Sequence, residues 1–427
     1  MNTNVSRFAL TLSLLVSPLT VVSAFAQDGL DVVWQTQAGA ALAFSSDSQL
    51  LVTGNQLRVA ADGTERVRYL VHPIGNGVAS AAISPDSGYV ALGIQTFNQN
   101  LNVYDALTGA PVRTRISAHD NGTTTVAFSP DGALLASGGR DGTAKLWSIP
   151  GVDLLRTLGG GAGYRPRVFA IAFSPDGESL AVGGQGGVVV FHVADGAVVR
   201  TLTEVQTTSL AYSPDGRLLA TGHDEIDAQG QCADCTIKLW LAADGTPIGA
   251  LPPTESNNNG VGSLAFSSDS SVLAAGSGDR IFDGVVRLFR VEDGALIESF
   301  EQEGGYVSDV AYSPDGNLFA FSRSDALVIV AQNPASACAV TLSPASRTFG
   351  AAGGAGRIAV TDASGCTWQA VADQPWVHFG SVTSSESGTI DYRVDRNAGL
   401  TRRATITIGN QTHTVVQQGA MSTSRVR

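Results

Sequence analysis

The chain has 427 residues, 43% of them hydrophobic, and a formal net charge of −12. That length exceeds one ordinary core and predicts two or three domains, or one large repeat array with something smaller attached. An acidic chain whose only lysines are Lys145 and Lys238 excludes nucleic acid and anionic membrane as natural partners, because affinity for phosphate backbones rests on clustered cations.

Residues 1–26 carry one early cation, Arg7, then the apolar run "FALTLSLLVSPLTVV" and the small-residue ending "SAFA". This pattern predicts a secretory signal peptide cut after Ala26, with Ala24 and Ala26 at the small positions. Ser17 and Pro18 interrupt the run and leave it short of the ~20 residues a bilayer span needs, so neither an anchor nor a later membrane span is expected. The mature chain is therefore expected in the periplasm or outside the cell. Its charge is uneven: residues 338–427 hold eight arginines against five acids, +3, and with Arg7 set aside −16 falls on residues 27–337.

One unit then returns seven times. Its turn reads "FSSDS" at Asp47, "ISPDS" at Asp86, "FSPDG" at Asp131 and Asp176, "YSPDG" at Asp215, "FSSDS" at Asp269 and "YSPDG" at Asp315. The intervals are 39, 45, 45, 39, 54 and 46 residues. Alternating apolar runs flank each turn, as in "TTTVAFS", "LLASGG", "TAKLWSI" and "LLRTL", and period-two alternation bounded by Gly, Asp and Ser predicts strands. Each unit is thus a four-stranded antiparallel sheet. One such sheet cannot bury both of its faces, so the copies must stack.

"FSPDGALLASGGRDGTAKLW" resembles the core of a WD repeat, and seven copies at this period imply an all-β, seven-bladed WD-type β-propeller over residues 27–333. In that family a His, a Ser or Thr, an Asp and a Trp form a hydrogen-bonded chain inside the blade. The third unit carries all four, as His119, Ser137, Asp141 and Trp147, which makes them buried struts rather than catalytic groups. The fifth unit keeps Thr221, Asp224 and Trp240 and has no His before its first strand. The seventh unit supplies only three strands, so "LDVVWQT", Leu30 to Thr36, is expected to complete it and close the ring.

After a linker at 334–337 the unit period stops, and residues 338–420 read as a small immunoglobulin-like β-sandwich ending in a hairpin around Gly409 and Asn410, followed by a tail at 421–427. "GAAGGAG", "GCTW", "PWVHF", Asn397 and the terminal "VVQQG" resemble the BACON domain of secreted bacterial proteins. That resemblance implies a spacer or a carbohydrate anchor. A sugar site needs exposed aromatic platforms, for which Trp368 and Trp376 are the candidates, although core packing explains both.

Four cysteines fall in two pairs, as an exported chain would have them bonded. Cys338 and Cys366 bracket the first hairpin of the small domain, and their disulfide would add about 3–4 kcal/mol. Cys232 and Cys235 form a C-x-x-C within an insertion of the fifth unit: a tight disulfide, a zinc half-site with His223 or Asp227, or a redox pair. Redox chemistry needs nearby cations, yet Glu225, Asp227 and Asp234 crowd the loop. Zinc lacks two convincing further ligands, and no metal or other cofactor is expected.

No nucleophile elbow, phosphate-binding Gly-rich loop or His-Glu-x-x-His occurs. One carboxylate per turn does not converge on calcium, whereas Pro, Asp and Gly simply make turns. Irregular lengthening falls at 159–167, 224–235, 252–260 and 278–284, all on the face opposite the Ser-Pro-Asp-Gly turns. Loops are where scaffolds place function. Tyr164, Arg165, Arg167, Asn257, Asn258, Asp279, Arg280 and Phe282 would there form a surface for a protein partner. The expectation is an exported, non-enzymatic interaction scaffold. The alternative is a secreted propeller enzyme, a lyase or glycosidase acting on extracellular polysaccharide with a carbohydrate-binding accessory domain; the segments opening the repeat units, "TTT", "RVF", "TTS" and "GVG", offer it no acid cluster.

Overall fold

The computed structural model describes residues 30–71, 77–159, 167–203, 206–226, 232–251, 260–278 and 283–333. In the C-terminal part it describes 340–362, 368–372, 374, 376–379, 383–384, 387–399, 401–408 and 411–420. The expected signal peptide, linker and tail lie outside these residues, as do Cys338 and Cys366. All regular elements among the described residues are strands.

Residues 32–332 form seven four-stranded antiparallel sheets, blade-like in build. The third sheet shows the pattern: Thr123–Phe128 pairs with Leu134–Gly139, which pairs with Thr143–Ser148, which pairs with Leu154–Gly159. The first strands of successive sheets pack side by side in cyclic order, and Leu42–Phe44 of the first sheet lies against both Val78–Ile83 of the second and Val307–Tyr312 of the seventh. The seventh sheet takes three strands from residues 307–332, and Val32–Gln37 pairs antiparallel with Leu327–Gln332 as its outer strand. Trp34 locks that strand, donating its indole N–H to the Ala60 carbonyl at 2.7 Å while its side chain is buried.

The close stacking of sheets has a simple origin. In five sheets the second strand places a glycine against the first strand of the next: Gly93 against Thr123, Gly138 against Val168, Gly183 against Thr207, Gly222 against Val261 and Gly276 against Val307. A Cβ on Gly138 would stand 2.6 Å from Val168 Cγ1, so only glycine lets the sheets approach this closely. Hydroxyls then stitch the same seam. Thr124 Oγ1 donates to Val168 O at 2.7 Å, and Thr208 Oγ1 to Val261 O at 2.6 Å. Farther out, Arg113, Arg156 and Arg200 each reach backbone carbonyls in the third-to-fourth turn of the following sheet. Outer strands carry a bulge at one position, opposite Trp147, Phe191, Trp240 and Phe289, which twists each edge away from unwanted pairing.

Every first turn is built the same way. Ser129 Oγ donates to Asp131 Oδ1 at 2.6 Å, the Ala133 amide donates to the same oxygen at 3.0 Å, and the Leu134 amide donates to Ser129 Oγ at 2.9 Å. The pairs Ser45–Asp47, Ser84–Asp86, Ser174–Asp176, Ser213–Asp215, Ser267–Asp269 and Ser313–Asp315 repeat it. The serine bond, then the backbone amide, hold the carboxyls of Asp47, Asp86, Asp131 and Asp176 below the usual carboxylate value. These aspartates are turn formers with their acceptor capacity engaged locally.

The C-terminal residues form two further sheets. One holds Val340–Ser343, Gly354–Asp362, Gly388–Val394 and Val377–His378; the other holds Ser346–Phe349, Gln411–Gln417, Arg402–Ile408, Trp368–Ala372 and Thr383–Ser384. The expected terminal hairpin pairs Arg402–Ile408 with Gln411–Gln417, while Ser346–Phe349 adds in parallel to the last strand. Side chains of both sheets, among them Ile358, Tyr392, Ile406 and Val415, make one buried cluster.

Two outcomes follow. Deleting residues 27–37 removes the Trp34 anchor and opens the edge of Leu327–Gln332, so the melting temperature should fall by roughly 10 °C or more by scanning fluorimetry. Gly138→Val should destabilise by about 2–3 kcal/mol in denaturant titration, because it overfills the contact with Val168.

Candidate functional site

The third sheet joins its four marked residues. His119 stands before the first strand, Ser137 on the second, Asp141 in the following turn and Trp147 on the third. Trp147 Nε1 donates to Ser137 Oγ at 2.9 Å, and Ser137 Oγ lies 2.8 Å from His119 Nε2. His119 Nδ1 lies 3.0 Å from Asp141 Oδ1 and 3.1 Å from Thr143 Oγ1. Because the indole supplies one proton to Ser137, the serine hydroxyl is left to donate to Nε2, and the imidazole proton then sits on Nδ1 facing Asp141. Gly139 makes room for the ring: a Cβ there would overlap His119.

This is the bond order of a Ser-His-Asp triad, yet His119 is 2% and Ser137 0% exposed. A nucleophile needs access to substrate, and the buried Ser137 has none. Burial alone would raise the Asp141 carboxyl, but the bond from His119 and two donors from Thr143 outweigh it and hold the group well below the usual range. Asn100 of the second sheet, which sequence reasoning missed, accepts from the Ala118 and His119 amides and from Thr123 Oγ1. It ties the network to the neighbouring sheet.

The fifth sheet corrects one expectation and adds a histidine from an unexpected place. Trp240 Nε1 donates to Thr221 Oγ1 at 3.0 Å, and the partner of that threonine is His223 Nε2 at 2.9 Å. A histidine is therefore present, supplied by the end of the second strand instead of by the segment before the first. The turn aspartate is Asp234, not Asp224: Asp234 Oδ1 accepts from Thr236 Oγ1 at 2.6 Å, and Oδ2 from Lys238 Nζ at 2.6 Å. The signal was available, since "DCTIKLW" repeats "DGTAKLW" position for position, but the insertion moved the aspartate away from the second strand. Burial, aided by the charge of Lys238, pushes the His223 imidazole below its usual value.

Engaged in this way, His223 is not a free metal ligand. Cys235 is buried and disulfide-bonded, which leaves no thiolate on it for zinc. The Cys232 side chain and Asp227 lie outside the described residues.

Strands alternate in direction, so the connections after the second and fourth strands share the end opposite the Ser-x-Asp turns. Of the eight residues expected to bind a partner there, Tyr164, Arg165, Asn257, Asn258, Asp279, Arg280 and Phe282 lie outside the described residues. Arg167 is exposed, and its amide donates to Gln185 Oε1 at 3.1 Å. The same end presents two apolar side chains that sequence reasoning missed, Leu70 at 77% and Phe97 at 78% exposure.

In the small domain, Trp376 is 9% exposed and belongs to the core cluster. The Arg402 guanidinium caps its ring at 4.1 Å from the centroid, so it offers no open platform. Arg402 also donates to Gln417 Oε1 at 2.9 Å, and Gln417 Nε2 donates to Asp395 O at 2.7 Å. Asn397 Nδ2 reaches Gln418 O at 3.2 Å. Residues of the "PWVHF" and "VVQQG" motifs, with Asn397, are thereby tied into the framework. The Trp368 side chain lies outside the described residues.

The comparisons with known proteins agree with these blade-like sheets and with the buried His-Ser-Asp-Trp chain of the third. Residues 109–148, 153–192, 196–240 and 245–290 match the WD domain, G-beta repeat family. Each match begins near the outer strand of one sheet and ends on the third strand of the next, so the sequence repeat straddles the structural one. Among curated proteins, the chain is 28% identical over 182 residues to small ribosomal subunit protein RACK1y of Oryza sativa subsp. japonica, covering 40% of this chain and 50% of that protein. It is 27% identical over 277 residues to the periodic tryptophan protein 2 homolog of Dictyostelium discoideum, covering 61% and 27%. It is 25% identical over 298 residues to apoptotic protease-activating factor 1 of Rattus norvegicus, covering 68% and 21%. The aligned part thus spans half or less of each relative's length. These findings support the WD-repeat family.

His119→Ala strands Ser137 and Asp141 in the interior and should cost about 2–3 kcal/mol of stability in denaturant titration. The Asp141 contribution has a definite sign. Its folded value is depressed, so the stability it provides is present above about pH 4 and is lost as pH falls through the folded value. Asp141→Asn should accordingly melt at a lower temperature than the parent at neutral pH, with the gap narrowing in acid.

Proposed function

We propose that this chain is an exported, non-enzymatic interaction protein, its seven sheets forming a closed propeller whose loop end receives a protein partner. The carrying observation is an asymmetry between the two ends. One end is closed by seven near-identical turns whose serines and aspartates bond each other. The other gathers all the irregularly lengthened connections and leaves Leu70 and Phe97 in water. Exposed apolar groups rimmed by polar loops mark association surfaces, and WD repeats typically mediate protein association. Tyr164, Arg165, Arg167, Asn257, Asn258, Asp279, Arg280 and Phe282 supply the aromatic and polar contacts in this reading.

The C-terminal domain acts as a spacer that presents the propeller. A carbohydrate-anchoring role rests on Trp368, since Trp376 is spent on packing. The Cys338–Cys366 pair stabilises this domain, and Cys235 is closed by Cys232. Periplasmic or extracellular placement follows from the apolar run and small-residue site in residues 1–26.

The test is cross-linked affinity capture from native periplasm and culture supernatant, using the mature chain and a chain ending at residue 337. A protein retained by both forms, and lost on combined substitution of Tyr164, Arg280, Phe282 and Phe97 by alanine, is the expected result. Unchanged capture by that variant would count against the loop end. Capture of glycan by the full chain alone would move recognition to the small domain.

A further inference from the structure

The seven innermost strands carry one charged side chain, Asp309 on Val307–Tyr312. Its place in the pattern is specific. Ser80 Oγ of the second sheet accepts from the Val126 amide of the third at 3.1 Å, and Ser263 Oγ of the sixth accepts from the Val310 amide of the seventh at 3.1 Å. Asp309 does the same one sheet further on: its Oδ2 accepts from the Leu42 amide of the first sheet at 2.9 Å, across a chain separation of 267 residues. Its Oδ1 accepts from Ser263 Oγ at 2.8 Å and from the Val310 amide at 3.0 Å. Where two other seams use a hydroxyl, the seam that closes the ring uses a carboxyl, bonded to the sheets on both sides.

We propose that Asp309 makes the closure between the last and first sheets a pH-responsive joint, firmer in mildly acidic than in neutral medium. The side chain keeps partial accessibility, yet three sheets crowd it, and that crowding governs its ionisation. Burial pushes the Asp309 carboxyl up to about 6, against the pull of the Leu42, Ser263 and Val310 donors.

Among the described residues no cation relieves it. The strands Leu42–Phe44, Val261–Phe266 and Val272–Gly278 packed against Val307–Tyr312 carry no titratable side chain. Asp283, Arg287 and Arg290 lie on Asp283–Arg290, and Arg323 of Leu318–Arg323 pairs with Asp325. Tyr312, on the same strand as Asp309, is itself pushed up by burial. None of these groups contributes to the balance at Asp309.

The direction is fixed by linkage. A folded value raised above the ordinary 3.8 means that the folded chain holds its proton where the unfolded chain has released it. Stability from this group is therefore fully present below about pH 4 and is lost as pH rises through about 6.

The test compares thermal melts of the full chain between about pH 5 and 7.5 for the parent, Asp309→Ser and Asp309→Asn. Serine is the residue used at the equivalent seams; asparagine keeps the shape without the charge. Between neutral pH and pH 5 the parent should gain about tenfold in folding equilibrium relative to either variant. A constant difference across that range would overturn the proposal. A measurement on the parent alone stands beside it: carbon-13 NMR of the aspartyl carboxyls should show one group titrating well above pH 5, and the absence of any such group would overturn the proposal even if both variants fail to fold.

Discussion

A row of four-stranded sheets has two open ends, and this molecule depends on joining them. The pairing of Val32–Gln37 with Leu327–Gln332 does so with segments from opposite ends of the array, so the last sheet cannot be complete until the first part of the chain has returned to it. The same seam is held at its inner edge by Asp309 and Leu42 and at its outer edge by the indole of Trp34 on the Ala60 carbonyl. Closure removes the unpaired edge that would otherwise invite association, and it makes every sheet an interior member of the ring. Stability of any one sheet is then inseparable from that of its neighbours.

That dependence explains where the polar residues went. Ser137, His119, Thr221 and His223 are among the least exposed side chains in the molecule, and each is bonded to another member of its chain. A buried polar group is tolerated only when its bonds are satisfied, and a strut that crosses strands, turn and preceding connection holds a sheet rigid. The arrangement shares its atoms with a catalytic triad and lacks its accessibility. These polar groups on the described strands serve cohesion.

The C-terminal domain repeats the lesson on a smaller scale. Arg402 lies over Trp376 and bonds Gln417, Gln417 bonds the Asp395 carbonyl, and His413 Nε2 lies 2.9 Å from the buried Tyr392 hydroxyl. Residues that look like a recognition motif in the sequence are here linked by their own contacts into a frame between two sheets.

The sequence by itself determined the strands, the turns and their repetition, because these are local: alternation and a Ser-x-Asp turn are written within a few residues, and each of the seven turns folds on its own bonds. It also showed that the outer strand of the last sheet had to come from elsewhere. Only the tertiary structure decided which residues became partners across sheets. His223 joins the fifth sheet's chain from the end of its second strand, Asn100 holds the amides of Ala118 and His119 that lead into the next sheet, and Asp309 meets Leu42 at a separation of 267 residues. Such contacts are set by the distance between packed sheets, which a glycine such as Gly138 and the side chain it faces determine together. No short window of sequence contains both.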